Sequence, residues 1–214
     1  MIRFDRHMRS LAITLAFLAG YVDALGFLTT SGFFVSFMSG NSTRLAVGIA
    51  GARSDAMAAG ILILCFVAGV CAGAIVGAAA GRRQSAAILL LVAAMLAAAA
   101  LLIRHPPLWT AGLLALAMGA ENTIFEREGQ APLGLTYMTG SLVRIGLGLA
   151  GVVTGRRHPG WGGYALLWLG LVAGAVTGAS LFPLLRQDAM WMGSGAALLL
   201  AFLTELARRA QQNA

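Results

Sequence analysis

Apolar residues run along this chain in blocks too long for strands, and short polar clusters interrupt them at spacings that predict the architecture. Four blocks, Met57–Ala80, Ala86–Ile103, Gly163–Leu185 and Ala189–Leu206, each come near the ~20 residues with which an α-helix crosses a bilayer. Two others, Leu11–Gly51 and Leu108–Gly151, are too long for one crossing. Each carries a polar, glycine-broken heptapeptide in its second half: Met38-Ser39-Gly40-Asn41-Ser42-Thr43-Arg44 and, one hundred residues later, Met138-Thr139-Gly140-Ser141-Leu142-Val143-Arg144.

The match extends outward through Gly32/Pro132, Ser36/Thr136, Gly48/Gly148, Ala50/Ala150 and Gly51/Gly151. Such registered self-similarity reads as an internal duplication. A single membrane domain over 1–214 is expected, with repeat halves 11–103 and 108–206. The duplication continues into the next helix, where Gly69–Ala78 matches Gly170–Ala179 and glycines four apart make a face for close helix packing.

Each heptapeptide predicts a break. Ser42–Gly51 makes a helix of only ~15 Å at ~1.5 Å per residue, about half of a hydrocarbon core. Ser39-Gly40-Asn41 and Thr139-Gly140-Ser141 offer glycine for unusual dihedrals and oxygens to cap free N–H groups. Each long block then reads as one full crossing followed by a re-entrant piece. The expected fold is an all-α integral membrane protein with six crossings, two re-entrant or broken helices and inverted repeats, as in many transporters. An eight-crossing alternative lets the re-entrant pieces span.

Composition agrees with a membrane class: 59% of the 214 residues are hydrophobic and 11% charged, with a mean hydropathy of +0.83. The run from Leu11 follows Arg3, Arg6 and Arg9 as a signal peptide's would, but apolar blocks continue beyond it, so it reads as the first crossing. The net charge of +7 comes from fifteen arginines and no lysine, most of them in short loops. Topology explains them, and no nucleic-acid partner is expected. With the termini in the cytoplasm, six crossings put ten loop arginines inside and three outside; eight crossings leave nine inside, with Arg82, Arg83, Arg127 and Arg186 outside. Cys65 and Cys71 have no metal or redox spacing, and His7, His105 and His158 fall at block ends, so neither metal nor cofactor is expected.

Four charged residues sit deep in apolar blocks and are functional candidates by cost alone: Asp23, Arg44, Glu121 and Arg144. Asn122 accompanies Glu121, and Ser39, Gly40, Asn41, Thr43, Tyr137, Thr139, Gly140 and Ser141 complete a polar zone around the two breaks. Two readings stand side by side. In one, Asp23 and Glu121 merely neutralise the arginines and hold the hairpins. In the other, half-helix N-termini with an arginine beside each bind an anionic or carboxylate-bearing solute. Asn41-Ser42-Thr43 fits a glycosylation sequon but lies at membrane depth.

Gly20-Tyr21-Val22-Asp23-Ala24 followed by Met38-Ser39-Gly40-Asn41 resembles the YoaK-like family of bacterial inner-membrane proteins, which carry a G-[FY]-V-D-A run and an M-[ST]-G-N signature. Glu121-Asn122 and Thr136-Tyr137-Met138-Thr139-Gly140 are similar to that family's second-half pattern, except that Glu121 replaces a glutamine. The resemblance implies an uncharacterised protein of the cytoplasmic membrane and marks Asp23, Gly40 and Asn41 most directly.

A solute transporter or channel is the leading expectation, with the lipid bilayer and a small polar solute as partners. A structural or sensory subunit is the alternative, and the glycine stripes also permit a homo-oligomer. An intramembrane hydrolase using Ser39 or Ser42 lacks a base, because no histidine lies inside a membrane block, so an enzyme is not expected.

Overall fold

The computed structural model describes residues 6–52, 54–125, 138–156 and 159–212. All regular structure among them is helical: α1 (Arg6–Thr29), α2 (Met38–Ala50), α3 (Asp55–Ala80), a 3-10 turn (Gly81–Arg83), α4 (Gln84–Leu101), α5 (Pro107–Glu121), α6 (Met138–Thr154), α7 (Trp161–Leu185) and α8 (Gln187–Gln212). Four stretches are long and apolar enough to cross a membrane: Met8–Thr29, Asp55–Leu101, Trp161–Leu185 and Asp188–Ala210. The second holds both α3 and α4, divided where Gly81 turns the chain at a φ of +53°.

The outer faces are apolar, unlike those of a water-soluble bundle. Leucine, valine and isoleucine side chains stand exposed on α2, α3, α4, α6, α7 and α8, among them Ile49, Leu64, Ile75, Leu90, Val153 and Leu199. The interior packs many alanines and glycines among leucines such as Leu15, Leu62 and Leu114, and a lipid solvent allows the apolar exterior, since apolar side chains lose nothing by facing it. The last four-fifths of α5, from Thr110 to Glu121, are almost wholly enclosed, and α1 is the most enclosed of the long helices.

Two helix pairs pack backbone to backbone. A Cβ on Gly20 of α1 would land on the carbonyl oxygen of Leu171 in α7, and one on Gly174 of α7 would land on that of Phe17. Gly119 of α5 meets the Phe66 carbonyl of α3 in the same way, and Gly69 of α3 meets that of Leu116. Gly170, Gly174 and Gly178 follow Ile13, Phe17 and Tyr21 in order, so α1 and α7 run parallel. Packing also joins α2 to α3, α6 to α7, α4 to α5 and α8, α1 to α5 and α8, α3 to α4, and α7 to α8. Exchanging α1, α2, α3 and α4 with α5, α6, α7 and α8 carries this set of helix pairs onto itself.

The glycine register differs from the sequence match. By their contacts Gly69 takes the place of Gly174, one helical turn from the Gly170 that the alignment pairs with it. Glycine every fourth residue leaves sequence matching blind to a slip of one turn. Under the same exchange Gly20 corresponds to Gly119, so Asn122 falls at the place of Asp23.

The start of α1, the Gly81–Arg83 turn and the last turns of α8 meet at one end of the bundle. Met8, Arg82, Arg83 and Arg208 line a shared cavity there of about 470 Å³. Gln84 Nε2 donates to the Thr123 carbonyl at 3.2 Å, so the chain following α5 ends at that same face.

Candidate functional site

The break in the first half lies at residues 30–37, before the heptapeptide rather than within it. Met38 already begins α2, with no side-chain cap at its N-terminus. An irregular segment enclosed by membrane helices must find partners for its own peptide groups, and three side chains supply them. Thr30 Oγ1 accepts from Phe33 N at 3.0 Å. Asn41 Oδ1 accepts from Phe34 N at 3.1 Å while its Nδ2 donates to the Phe34 carbonyl at 2.6 Å. Asp23 Oδ1 accepts from Val35 N at 2.9 Å and Ser36 N at 2.7 Å.

Asp23 and Asn41 therefore hold the loop, and neighbouring glycines make room for it. Gly26 lies directly beneath Val35, and a Cβ on Gly40 would approach the Phe34 ring to 2.8 Å. The Phe34 ring packs on Phe27 and Phe37 at centroid distances of 5.1 and 6.0 Å. Gly32 adopts a φ of +123°, where a side chain is strained. Asn41 is wholly buried with its amide engaged, so the apparent sequon cannot accept a glycan as folded.

The expected charge balance between acids and arginines is not what the structure contains. No ion pair joins Asp23 to Arg44 or Glu121 to Arg144 among the described residues. Arg44 lies over the Phe33 ring, 4.7 Å from its centroid, with Gly32 beneath its guanidinium. It clamps the outer part of the loop and does not reach the point where the half-helices begin. Arg144 is exposed, 4.9 Å above the Tyr164 ring of α7. Arginine stacks on aromatic faces where no carboxylate is within reach. Glu121 is fully buried at the end of α5, and neither carboxyl oxygen has a hydrogen-bond partner among the described residues.

What does come together is the pair of N-termini of α2 and α6. Ser36, Phe37, Met38 and Ser39 from one side and Met138, Thr139 and Gly140 from the other line a single cavity of about 350 Å³, with Phe66 from near the middle of α3 also in its wall. Ser36 Oγ, beside the Asp23 carboxyl, is buried without a hydrogen bond of good geometry. Ser42 and Thr43 lie outside the cavity, exposed, with their hydroxyls turned back onto the Met38 and Ser39 carbonyls. Ser141 is buried on α6, and Asn122 Nδ2 donates to the Met118 carbonyl at 2.9 Å. Tyr137, Thr136 and Pro132 lie outside the described residues. Phe66 escaped sequence reasoning because nothing distinguishes it from the other apolar residues of its helix.

Comparison with known proteins matches residues 11–203 to DUF1275, described as a protein of unknown function. The chain belongs to that family. It is also 42% identical over 216 residues to the UPF0700 transmembrane protein RA0705 of Rhizobium meliloti (strain 1021), covering 89% of this chain and 83% of the relative. No solved structure matches. The DUF1275 chain is thus a multi-pass membrane protein of a family without an assigned activity, and neither match carries the YoaK name.

Proposed function

We propose that this protein passes a small polar solute across the membrane through the cavity where α2 and α6 begin. The observation that carries this reading is the shared lining: Ser36 and Ser39 from one hairpin and Thr139 from the other, with the first turns of both half-helices, around one cavity. Discontinuous helices whose N-termini converge between repeats are how many transporters hold a solute. The Met38 and Gly40 N–H groups already donate to the Ser36 and Phe37 carbonyls, so it is the positive dipole ends that favour an anionic or carboxylate-bearing group there. Arg44 and Arg144 do not line this cavity, so in this reading they brace the half-helices.

The same reading takes the chain as an inverted duplication with six full crossings and two re-entrant pieces. The self-mapping of the helix pairs supports it, as does the meeting of Met8, Arg83 and Arg208 at one end. Eight crossings would put residues 82 and 83 across the membrane from the first residues of α1. The arginine distribution supports an orientation with both termini in the cytoplasm, and the family resemblance supports residence in a bacterial cytoplasmic membrane.

Two measurements test these points. In a Cys65→Ala, Cys71→Ala background, a cysteine at position 53 is expected to react with an impermeant maleimide added outside intact cells and one at position 83 to stay protected; the reverse pattern would sink six crossings. Liposomes containing the purified protein are expected to take up at least one of labelled acetate, lactate, glutamate or chloride. Ser39→Leu, Thr139→Leu fills the cavity and is expected to cut that flux at least tenfold with the fold retained. Undiminished flux through the filled cavity would overturn the assignment of the site.

A further inference from the structure

We propose that the cavity at the arginine-bearing end of the bundle binds the headgroup of an anionic phospholipid. The proposal is independent of the transport reading and requires only that the helices span a bilayer. The cavity opens between α1, the Gly81–Arg83 turn and α8, and three arginines, Arg82, Arg83 and Arg208, face one glutamate in its lining. Glu205 is already engaged: it accepts from Arg208 Nε and Nη2 at 2.8 and 2.7 Å and from Arg209 Nε at 2.9 Å, with Arg83 Nε further off at 3.8 Å.

Arg82 is exposed, and Arg83 has only that distant contact, with two-thirds of its side chain accessible. Both guanidinium groups are free to meet a phosphate, which a planar fork of donors grips in bidentate fashion. The rest of the wall combines apolar residues, Leu11 of α1 and Leu200 of α8 among them, with the hydroxyl-bearing Ser10, Thr14, Ser85 and Thr204. At about 470 Å³ the cavity far exceeds a phosphate. Its mixed lining fits a phosphate at the rim with glycerol and the first methylenes beneath. It also lies where headgroups meet the ends of membrane-length helices, the place where basic pockets between such helices hold anionic lipids.

The test compares phosphatidylglycerol with phosphatidylcholine of the same acyl chains, added to purified full-length protein in detergent and read by native mass spectrometry. Retention of phosphatidylglycerol is expected to exceed that of phosphatidylcholine at least tenfold. The preference should vanish in Arg82→Gln, Arg83→Gln and persist in Arg104→Gln, at the other end of α4. Arg82→Lys, Arg83→Lys should keep most of it, which separates lost charge from lost fold. Equal retention of the two lipids by the wild type, or an unchanged preference in the glutamine variant, overturns the proposal. Displacement of the lipid by an equimolar amount of glycerol 1-phosphate would also overturn it, by making the occupant a soluble phosphate.

Discussion

Gly174→Ala is expected to lower the stability of the folded protein by at least about 3 kcal/mol, at or above the upper end of ordinary overpacking. The added methyl would occupy the position of the Phe17 carbonyl oxygen. Backbone cannot step aside as a side chain can, so α1 and α7 must separate along an interface where Gly170, Gly174 and Gly178 all approach α1. Gly69→Ala, against the Leu116 carbonyl, is expected to match it. Gly146→Ala, with nothing within 4 Å of the new atom, is expected to be neutral or to stabilise α6 by up to about 1 kcal/mol, the usual gain from alanine inside a helix. Unfolding midpoints in mixed micelles titrated with dodecyl sulfate would rank the three. A Gly174→Ala midpoint equal to that of Gly146→Ala would show that the helices do not meet there.

Asp23→Ala is expected to undo the first hairpin, while Asp23→Asn is expected to leave it folded. Removing the carboxyl strands the peptide N–H groups of Val35 and Ser36, both buried, at about 1–3 kcal/mol each when no water can replace the partner. Asparagine keeps an acceptor oxygen in the same place. A cysteine at position 36, in the background without native cysteines, should be slow to alkylate in the wild type and in Asp23→Asn. In Asp23→Ala it should become fast. Similar rates in all three would mean that Asp23 does not organise the loop. If Asp23→Asn keeps the loop yet loses solute flux, the carboxyl charge contributes to transport as well as to architecture.

This division of labour differs from the one the residue types suggest. Arginines and acids one or two turns from a helix break look like ion pairs because charge in a membrane segment demands compensation. The fold compensates Asp23 with peptide N–H groups, and the arginines with the faces of Phe33 and Tyr164. Compensation of both kinds is invisible in a sequence, where a backbone amide carries no letter and an aromatic ring is one apolar residue among many. The G-Y-V-D-A and M-S-G-N runs acquire a physical account: Asp23 and Asn41 satisfy the loop, and Gly40 seats Phe34.

The helices expected over Ser42–Gly51 and Leu142–Gly151 are longer, at 13 and 17 residues, but the sequence by itself determined the membrane class, the helical architecture and the glycine faces. These follow from hydropathy and periodicity, which act locally and leave their mark on neighbouring residues. Only the tertiary structure decided that the break precedes Met38, that the glycine faces pair α1 with α7 and α3 with α5, and that Phe66 lines one cavity with Ser39 and Thr139. Each depends on which distant helices touch and in what register, and repeated glycines and uniform apolar faces allow more than one register until the backbones are in contact.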